Sequence, residues 1–521
     1  MSVFLGIDIG TSGTKTIAIN ASGTVLSQAV ANYASFQPKP LWSEQNPEDW
    51  WQATVATVRQ VMQKANLKPA DVKAIGLSGQ MHGAVFLDQQ NNIIRPAILW
   101  NDQRTAKECA EIEATVGGRA NLVSMVANPA LTGFTAPKIL WLRNHEPKNF
   151  EKTRKILLPK DEIRRRLTGE FATDVSDASG TLLLDVSRRQ WSKELLGALD
   201  LDLALMPKCY ESPEVTGQLL PSVAEMLGLT KACLVVGGAG DCPANAIGNG
   251  VVKTGTLSTS IGTSSVLLMH SEEFAKDPNG RLHTICHSIP GKWLMMGVNL
   301  SGGGSLQWFR NELCKTDHAG TTANFYELLS REAAGISAGS EGLFWLPFLS
   351  GERTPHNDPD ARACFIGLTL SHTRAHMIRS IMEGVAYNMR HTLEIMTDLG
   401  VPVNEIRVSG GGSQSDLWRS IQASCFGRNV ATINCDEGPA FGVALLAAAG
   451  SGAFASVEEA CQSIIKVVSE THYDNAAKLR YDKAFPIFKN LYKSLKSNFK
   501  AIAGIEADCT HENNLLQKIA D

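Results

Sequence analysis

Two aspartates stand where an acid is unfavourable unless it is hydrogen-bonded or put to use. Asp8 interrupts the apolar run Phe4-Leu5-Gly6-Ile7 and Ile9, just ahead of Gly10-Thr11-Ser12-Gly13-Thr14-Lys15. Asp241 closes Val235-Val236-Gly237-Gly238-Ala239-Gly240, an apolar strand running into glycines. Glycine clusters after strands let backbone N–H groups approach phosphate oxygens with no side chain in the way. A carboxylate facing the Thr11, Ser12, Gly13, Thr14, Lys15 hairpin could hold Mg2+ through water while the hairpin holds phosphate; the plainer alternative is that Asp8 caps a turn. Asp241 fits a general base whose backbone leaves room for substrate, or simply a turn aspartate. Gln80-Met81-His82-Gly83 and Trp100-Asn101-Asp102-Gln103-Arg104 follow two neighbouring strand candidates. Donors, acceptors and an aromatic at adjacent strand ends are what a sugar pocket needs, although a lone histidine is more often structural. Two nucleotide-binding templates are absent: no GxxxxGK[ST] and, after the first strand, no GxGxxG.

The elements that must position these residues follow from periodicity and turn chemistry. The runs Phe4 to Ile9, Thr16 to Ile19 and Thr24-Val25-Leu26, with Ala21-Ser22-Gly23 as a turn, predict a β-meander. Asn46-Pro47-Glu48-Asp49 predicts a helix start, and Trp51, Val55, Val58 and Met62 recur behind it at helical spacing. The opening signal returns at mid-chain: strand-like Thr256 to Ile261, then Gly262-Thr263-Ser264, then Val266 to Met269. Two related α/β halves meeting near residue 250, with a nucleotide between them, are expected. Further on, Ser301-Gly302-Gly303-Gly304-Ser305 precedes a helix carried by Leu306, Trp308, Phe309 and Leu313. A long helix is expected from Thr373 to Leu399, stopped by Gly400 and Pro402. Ile406-Arg407-Val408 reads as a strand before Gly410-Gly411-Gly412-Ser413, and Phe441 to Ala449 as a small-residue helix. The stretch past Ala501 reads as a loose polar tail.

Composition narrows the function classes. The net charge is −3, which gives no electrostatic reason to expect nucleic acid or an anionic membrane as partner. The 11 cysteines are odd in number and never spaced as CxxC, so free thiols in a reducing compartment are expected rather than a disulfide framework or zinc ribbon. The opening residues lack a basic region followed by an apolar run, and the stretch Val443 to Ala449 is too short to span a bilayer. A cytoplasmic protein is expected. His283 and His287 lie four apart, but Thr284 and Ile285 favour a strand, which argues against zinc. Lys489, Lys493, Lys496 and Lys500 mark the solvated face of a helix whose other face carries Phe488, Tyr492, Leu495 and Phe499.

Leu5-Gly6-Ile7-Asp8-Ile9-Gly10-Thr11-Ser12, Gly79-Gln80-Met81-His82-Gly83, Trp100-Asn101-Asp102, Gly240-Asp241, Gly262-Thr263-Ser264 and Ser350-Gly351-Glu352-Arg353-Thr354-Pro355 occur in the order seen in the FGGY carbohydrate kinases. The chain resembles that family from Leu5 to about residue 500, and within it the bacterial xylulokinases. The resemblance implies an α/β fold of two ribonuclease-H-like, actin/hexokinase-like domains with a central cleft: residues 1–250 with the sugar side and catalytic residues, 251–503 with the ATP side, and 504–521 as a tail. It implies ATP and Mg2+ as cofactors, a ketopentose (D-xylulose) as substrate, and no nucleic-acid or membrane partner; a homodimer is left open. Carried over by position, Asp241 is the base and Asp8 the carboxylate that organises the metal. Met81, His82, Trp100, Asn101, Asp102, Arg104 and Cys242 fall on the sugar side. Thr11, Ser12, Gly13, Thr14, Lys15, Gly262, Thr263, Gly302, Gly303, Gly410, Gly411 and Ser415 fall in segments that hold ATP. Cys242 departs from the family, which commonly has Asn after the catalytic Asp; a thiol is a poor replacement for an amide, so sugar preference could differ. A kinase for another ketose or polyol, a sugar-independent ATPase of the same fold, and an inactive sugar sensor are the alternatives.

Overall fold

The opening strand, Val3–Ile9, is buried along its whole length except at Asp8, which requires cover on both faces. The structure, a computed structural model, describes residues 2–314, 325–435 and 437–520, the side chains of 506–520 excepted. Val3–Ile9 pairs antiparallel with Gly13–Asn20 and parallel with Val72–Gly79. The sheet has the order Val215–Gln218, Leu234–Val236, Val72–Gly79, Val3–Ile9, Gly13–Asn20, Val25–Asn32, with the short Ala239–Gly240 also paired to Val72–Gly79. Strand alternation sorts its side chains. Val3, Leu5, Ile7 and Ile9 join the core with Trp50, Val58 and Val61 of the helix Pro47–Lys64. Phe4, Ile17, Ile19 and Ala74 join another with Ala440, Val443 and Ala444 of the helix Pro439–Gly450.

That second helix lies unusually close. A Cβ at Gly6 would stand 1.8 Å from the Ala440 carbonyl oxygen, and one at Gly76 1.9 Å from that of Val443. Only glycine in the strands admits this approach. The helix is apolar on nearly every side, as a segment buried all round must be.

The chain divides into two compact units. The first comprises Met1–Thr256, Leu268–Met295 and Ile433–Lys466; the second comprises Leu257–Leu267, Met296–Thr432 and Val467–Asp521. In the second unit Glu405–Ser409 lies beside Thr256–Ile261 in a further sheet and pairs in parallel with Val430–Ile433. The helix Arg374–Asp398 begins after Thr373 and ends before Gly400, whose φ of +85° suits glycine, much as the sequence predicts. The helix Gly303–Leu313 also forms where expected.

The stretch read as a loose polar tail is different: the backbone of the last helix, Asn475–Ala520, runs through it. The periodic face with Tyr481, Phe485, Phe488, Tyr492 and Phe499 buried belongs to this same helix, and Lys489 on its other face pairs with Glu394 at 2.8 Å. His283 and Thr284 lie in the strand His283–Cys286. No disulfide links cysteines among the described residues, and no described helix is long and apolar enough to cross a membrane.

Candidate active site

Asp8 lies one residue from the end of its strand, opposite Lys15 on one neighbouring strand and Ser78 on the other. Its Oδ1 is closed off from solvent and has no hydrogen-bond partner. Burial, with the nearby Asp241 carboxylate, pushes its pKa up to about 7, against the influence of Ser78 and Lys15. The turn that follows is tied down from outside through its carbonyls. Gly10 O accepts from Tyr33 Oη at 2.7 Å, and Thr11 O from Gln45 Nε2 at 2.6 Å. Gln45 Oε1 accepts from Gln80 Nε2 at 2.8 Å and from Trp50 Nε1 at 3.0 Å. Trp100 Nε1 donates to Thr11 Oγ1 at 2.9 Å. Ser12 at the tip is exposed, Gly13 begins the returning strand, and Thr14 is buried beside Tyr33. Lys15 is ion-paired with Glu437.

Asp241 is the first residue of the helix Asp241–Gly248, where the positive end of the helix dipole favours a carboxylate. Its Oδ1 accepts from the Cys242 amide at 2.7 Å. Burial still dominates and pushes the carboxyl up to about 6. Cys242, half-buried, is the next residue of the same helix.

Met81 and His82 leave the end of Val72–Gly79, and both are buried. His82 adopts φ +70°, a left-handed conformation that its surroundings must enforce. They do so on both sides of the residue. Its Nδ1 lies 2.7 Å from the Gly180 carbonyl, so that nitrogen carries the proton and donates. Its own carbonyl accepts from Thr135 Oγ1 at 3.1 Å and Lys138 Nζ at 2.8 Å. Lys138 is wholly buried, and burial pushes its pKa down to about 7. Gly180 and Gly240 make room for the pair: a Cβ at the first would stand 2.7 Å from His82 Nδ1, and at the second 2.7 Å from Met81 Cγ.

The segment 100–104 divides by exposure. Trp100 and Asn101 are exposed. Asp102 is fully buried and accepts from the Ser43 amide at 2.6 Å and from Arg104 Nη2 at 2.7 Å. Arg104 also pairs with Glu44 at 2.7 Å, and its guanidinium lies 3.5 Å from the centre of the Trp42 ring. Both charged side chains therefore serve each other and the loop that carries Trp100 and Asn101.

Within the second unit a cavity of about 700 Å³ is lined by Gly262, Thr263, Gly303, Gly411 and Ser415, together with Leu306, Tyr326, Ser330, Leu417 and Trp418. Its glycine loops are locked together: Gly302 N–H and Gly304 N–H donate to Thr263 O, and Gly303 N–H to Gly262 O, at 2.8–2.9 Å. Gly302 and Gly410 stand behind this lining. Gly410, at φ +75°, turns the chain out of Glu405–Ser409 towards Gly411–Gln414. Ser415 caps the helix Asp416–Phe426 and lies 3.1 Å from Ser330 Oγ. Backbone-rich loops beside Leu306 and Leu417 suit a ligand with a polar phosphate end and a flat apolar end.

No group of three or more His, Cys, Asp or Glu able to hold a metal occurs among the described residues. The unpartnered Asp8 Oδ1 fits a cation held mainly by water and phosphate oxygens. Gln45, Tyr33 and Glu437 were not singled out by the sequence. For Gln45 the signal was present: a polar Glu44-Gln45 pair directly ahead of the helix-capping Asn46.

An α/β chain with two raised-pKa carboxylates in one unit and a glycine-walled cavity in the other has the parts of a phosphoryl-transfer enzyme. The N-terminal domain of the FGGY family of carbohydrate kinases matches residues 3–248, and its C-terminal domain residues 257–451. Xylulose kinase of Bacillus subtilis (strain 168) is 38% identical over 496 residues, spanning 95% of this chain and 98% of its own. Xylulose kinase of Escherichia coli (strain K12) is 39% identical over 495 residues, spanning 95% and 99%. The crystal structure of a xylulose kinase from Brucella ovis superposes with a TM-score of 0.88 at 35% identity, covering 95% of this chain and 99% of that one. The chain belongs to the FGGY family of carbohydrate kinases and has that family's actin/hexokinase-like fold.

Proposed function

We propose that the chain transfers the γ-phosphoryl group of ATP to the 5-hydroxyl of D-xylulose, giving D-xylulose 5-phosphate. The observation that carries the choice of sugar is the set of relatives named xylulose kinase, 35% to 41% identical over most of this chain. A relative named gluconokinase is 28% identical.

In this reading residues of the first half bind the sugar and supply the base, and the second half holds the nucleotide. Met81 and His82 contact the sugar; with Nδ1 committed to Gly180, the ring's Nε2 is the nitrogen that accepts from a sugar hydroxyl. Trp100 and Asn101 complete that side, with Asp102 and Arg104 holding their loop and Cys242 adjoining the base. Asp241 takes the hydroxyl proton as the oxygen attacks phosphorus. A carboxyl at about 6 is ionised at neutral pH yet basic enough to accept. Asp8 would hold Mg2+, which when bound neutralises phosphate charge. Amides and hydroxyls of Thr11 to Thr14, with Lys15 released from Glu437, would hold phosphate oxygens, and Gly262, Thr263, Gly303, Gly411 and Ser415 the rest of the nucleotide. Orientation and charge neutralisation supply most of the acceleration in such a transfer.

The test is MgATP consumption with D-xylulose, D-ribulose, L-xylulose and gluconate side by side, with the product identified by mass. D-xylulose is expected to lead by at least about tenfold in kcat/KM, the size of discrimination that a few polar contacts provide. Preference for another sugar would reassign the substrate and point to Cys242. Turnover indifferent to every sugar would remove the kinase reading.

A further inference from the structure

The segment Ser350-Gly351-Glu352-Arg353-Thr354-Pro355 has no part in the mechanism above, and its hydrogen bonds lead to one place. Glu352 is 2% exposed. Its Oε1 accepts from the Leu300 amide at 2.9 Å and the Arg353 amide at 2.8 Å, and its Oε2 accepts from Asn388 Nδ2 at 2.5 Å. Two residues on, the Thr354 amide donates to Val298 O at 2.9 Å, and Thr354 Oγ1 accepts from the Val298 amide at 3.1 Å. Asn299 Nδ2 donates to Thr354 O at 2.6 Å. The segment therefore clamps three consecutive residues, Val298, Asn299 and Leu300. Directly after them come Ser301 and the glycines that bond Gly262 and Thr263 in the cavity wall.

We propose that Glu352 is a positioning residue for nucleotide binding, fixing through Leu300 the start of the glycine loop that walls the cavity. The inference rests on reading that cavity as the nucleotide site. Leu300 is the last residue that this segment holds before the chain turns into Gly302, so its amide is where the strand's direction is passed to the loop. The carboxyl does this through reach rather than charge. Burial pushes it up to about 8, so the neutral form, which keeps the oxygen that accepts from Leu300 and Arg353, is available at neutral pH. A glutamine has the same reach and the same acceptor towards Leu300 and Arg353. An aspartate is shorter by one methylene and cannot keep both ends.

The experiment measures MgATP affinity without sugar, and D-xylulose affinity without nucleotide, by calorimetry on the full chain. Glu352→Asp is expected to weaken MgATP by about tenfold while leaving D-xylulose affinity within about twofold of the parent. Glu352→Gln is expected to stay within about threefold for both ligands. Equal MgATP affinity in Glu352→Asp and the parent would overturn the proposal, as would parallel loss of both ligands, which would mark Glu352 as a general support of the fold. A loss in Glu352→Gln as large as in Glu352→Asp would overturn the role assigned to reach. If the parent chain itself binds no adenine nucleotide, the reading of the cavity fails instead, a result that the parent measurement isolates.

Discussion

Above neutral pH both Asp8 and Asp241 must carry charge in surroundings that disfavour it. Asp8 binds its proton near pH 7 in the folded chain and near 3.8 in an unfolded one. Between those values the folded form holds the extra proton, so stability from this group falls as pH rises through that window. Asp8→Asn is therefore expected to raise the thermal midpoint at pH 8, by an amount equivalent to on the order of 1–3 kcal/mol, and to change it little at pH 4. Scanning calorimetry at both values decides this; an unchanged midpoint at pH 8 would mean that the site tolerates the charge. Activity should move oppositely, because the base works only when ionised: kcat/KM for D-xylulose should fall as pH drops through about 6. Asp241→Ala should lower kcat by at least about a hundredfold with MgATP affinity retained, and lost nucleotide affinity would place Asp241 in the nucleotide site instead. These two acids were legible in the sequence because an acid in an apolar run is costly enough to need a reason. The pairing of Asp102 with Arg104 was not, since a charged side chain near a pocket reads alike whether it faces a ligand or a buried partner. Tyr33 and Glu437 were hidden for another reason: their bonds join residues far apart in sequence.

Among the elements, the strands announced themselves by apolar runs and the helix Pro47–Lys64 by its cap and spacing, so the first sheet and one of its covers could be read directly. The small-residue helix Pro439–Gly450 was equally visible as a helix, but nothing in its composition says which sheet it covers. The clue lies in its partner: Gly6 and Gly76 are isolated glycines inside strands, a mark of close backbone approach. That contact is testable at the strand. Gly76→Ala places a methyl group where the Val443 carbonyl oxygen lies, and should cost about 1–3 kcal/mol or more in urea unfolding. Gly400→Ala, with no atom near the added carbon, should cost only the strain of its positive φ, about 1 kcal/mol. Equal losses in the two variants would show that the helix yields to the added methyl group, so that the close approach at Gly76 is not rigid.

Over the whole molecule, the chain order and the order of assembly differ, because residues 433–466 belong to the first compact unit. A fragment ending at Thr256 would lack the helix whose Ala440, Val443 and Ala444 pack with Phe4, Ile17 and Ile19. It should show no cooperative thermal transition alone and regain one when a polypeptide covering 433–466 is co-expressed; a cooperative transition without it would mean that the sheet needs only one cover. The same dependence has a consequence for the nascent chain. While the ribosome is still adding the second unit, the strand face bearing Phe4, Ile17 and Ile19 has only residues such as Ala244 and Ile247 beside it, and the helix that will seal it has not yet been translated. At ordinary elongation rates that interval lasts on the order of 10–40 s, long enough for exposed apolar strands to aggregate or be held by a chaperone. The protein's yield in a cell should therefore depend on how fast the distance from Thr256 to Pro439 is translated, a cost that the finished fold no longer shows.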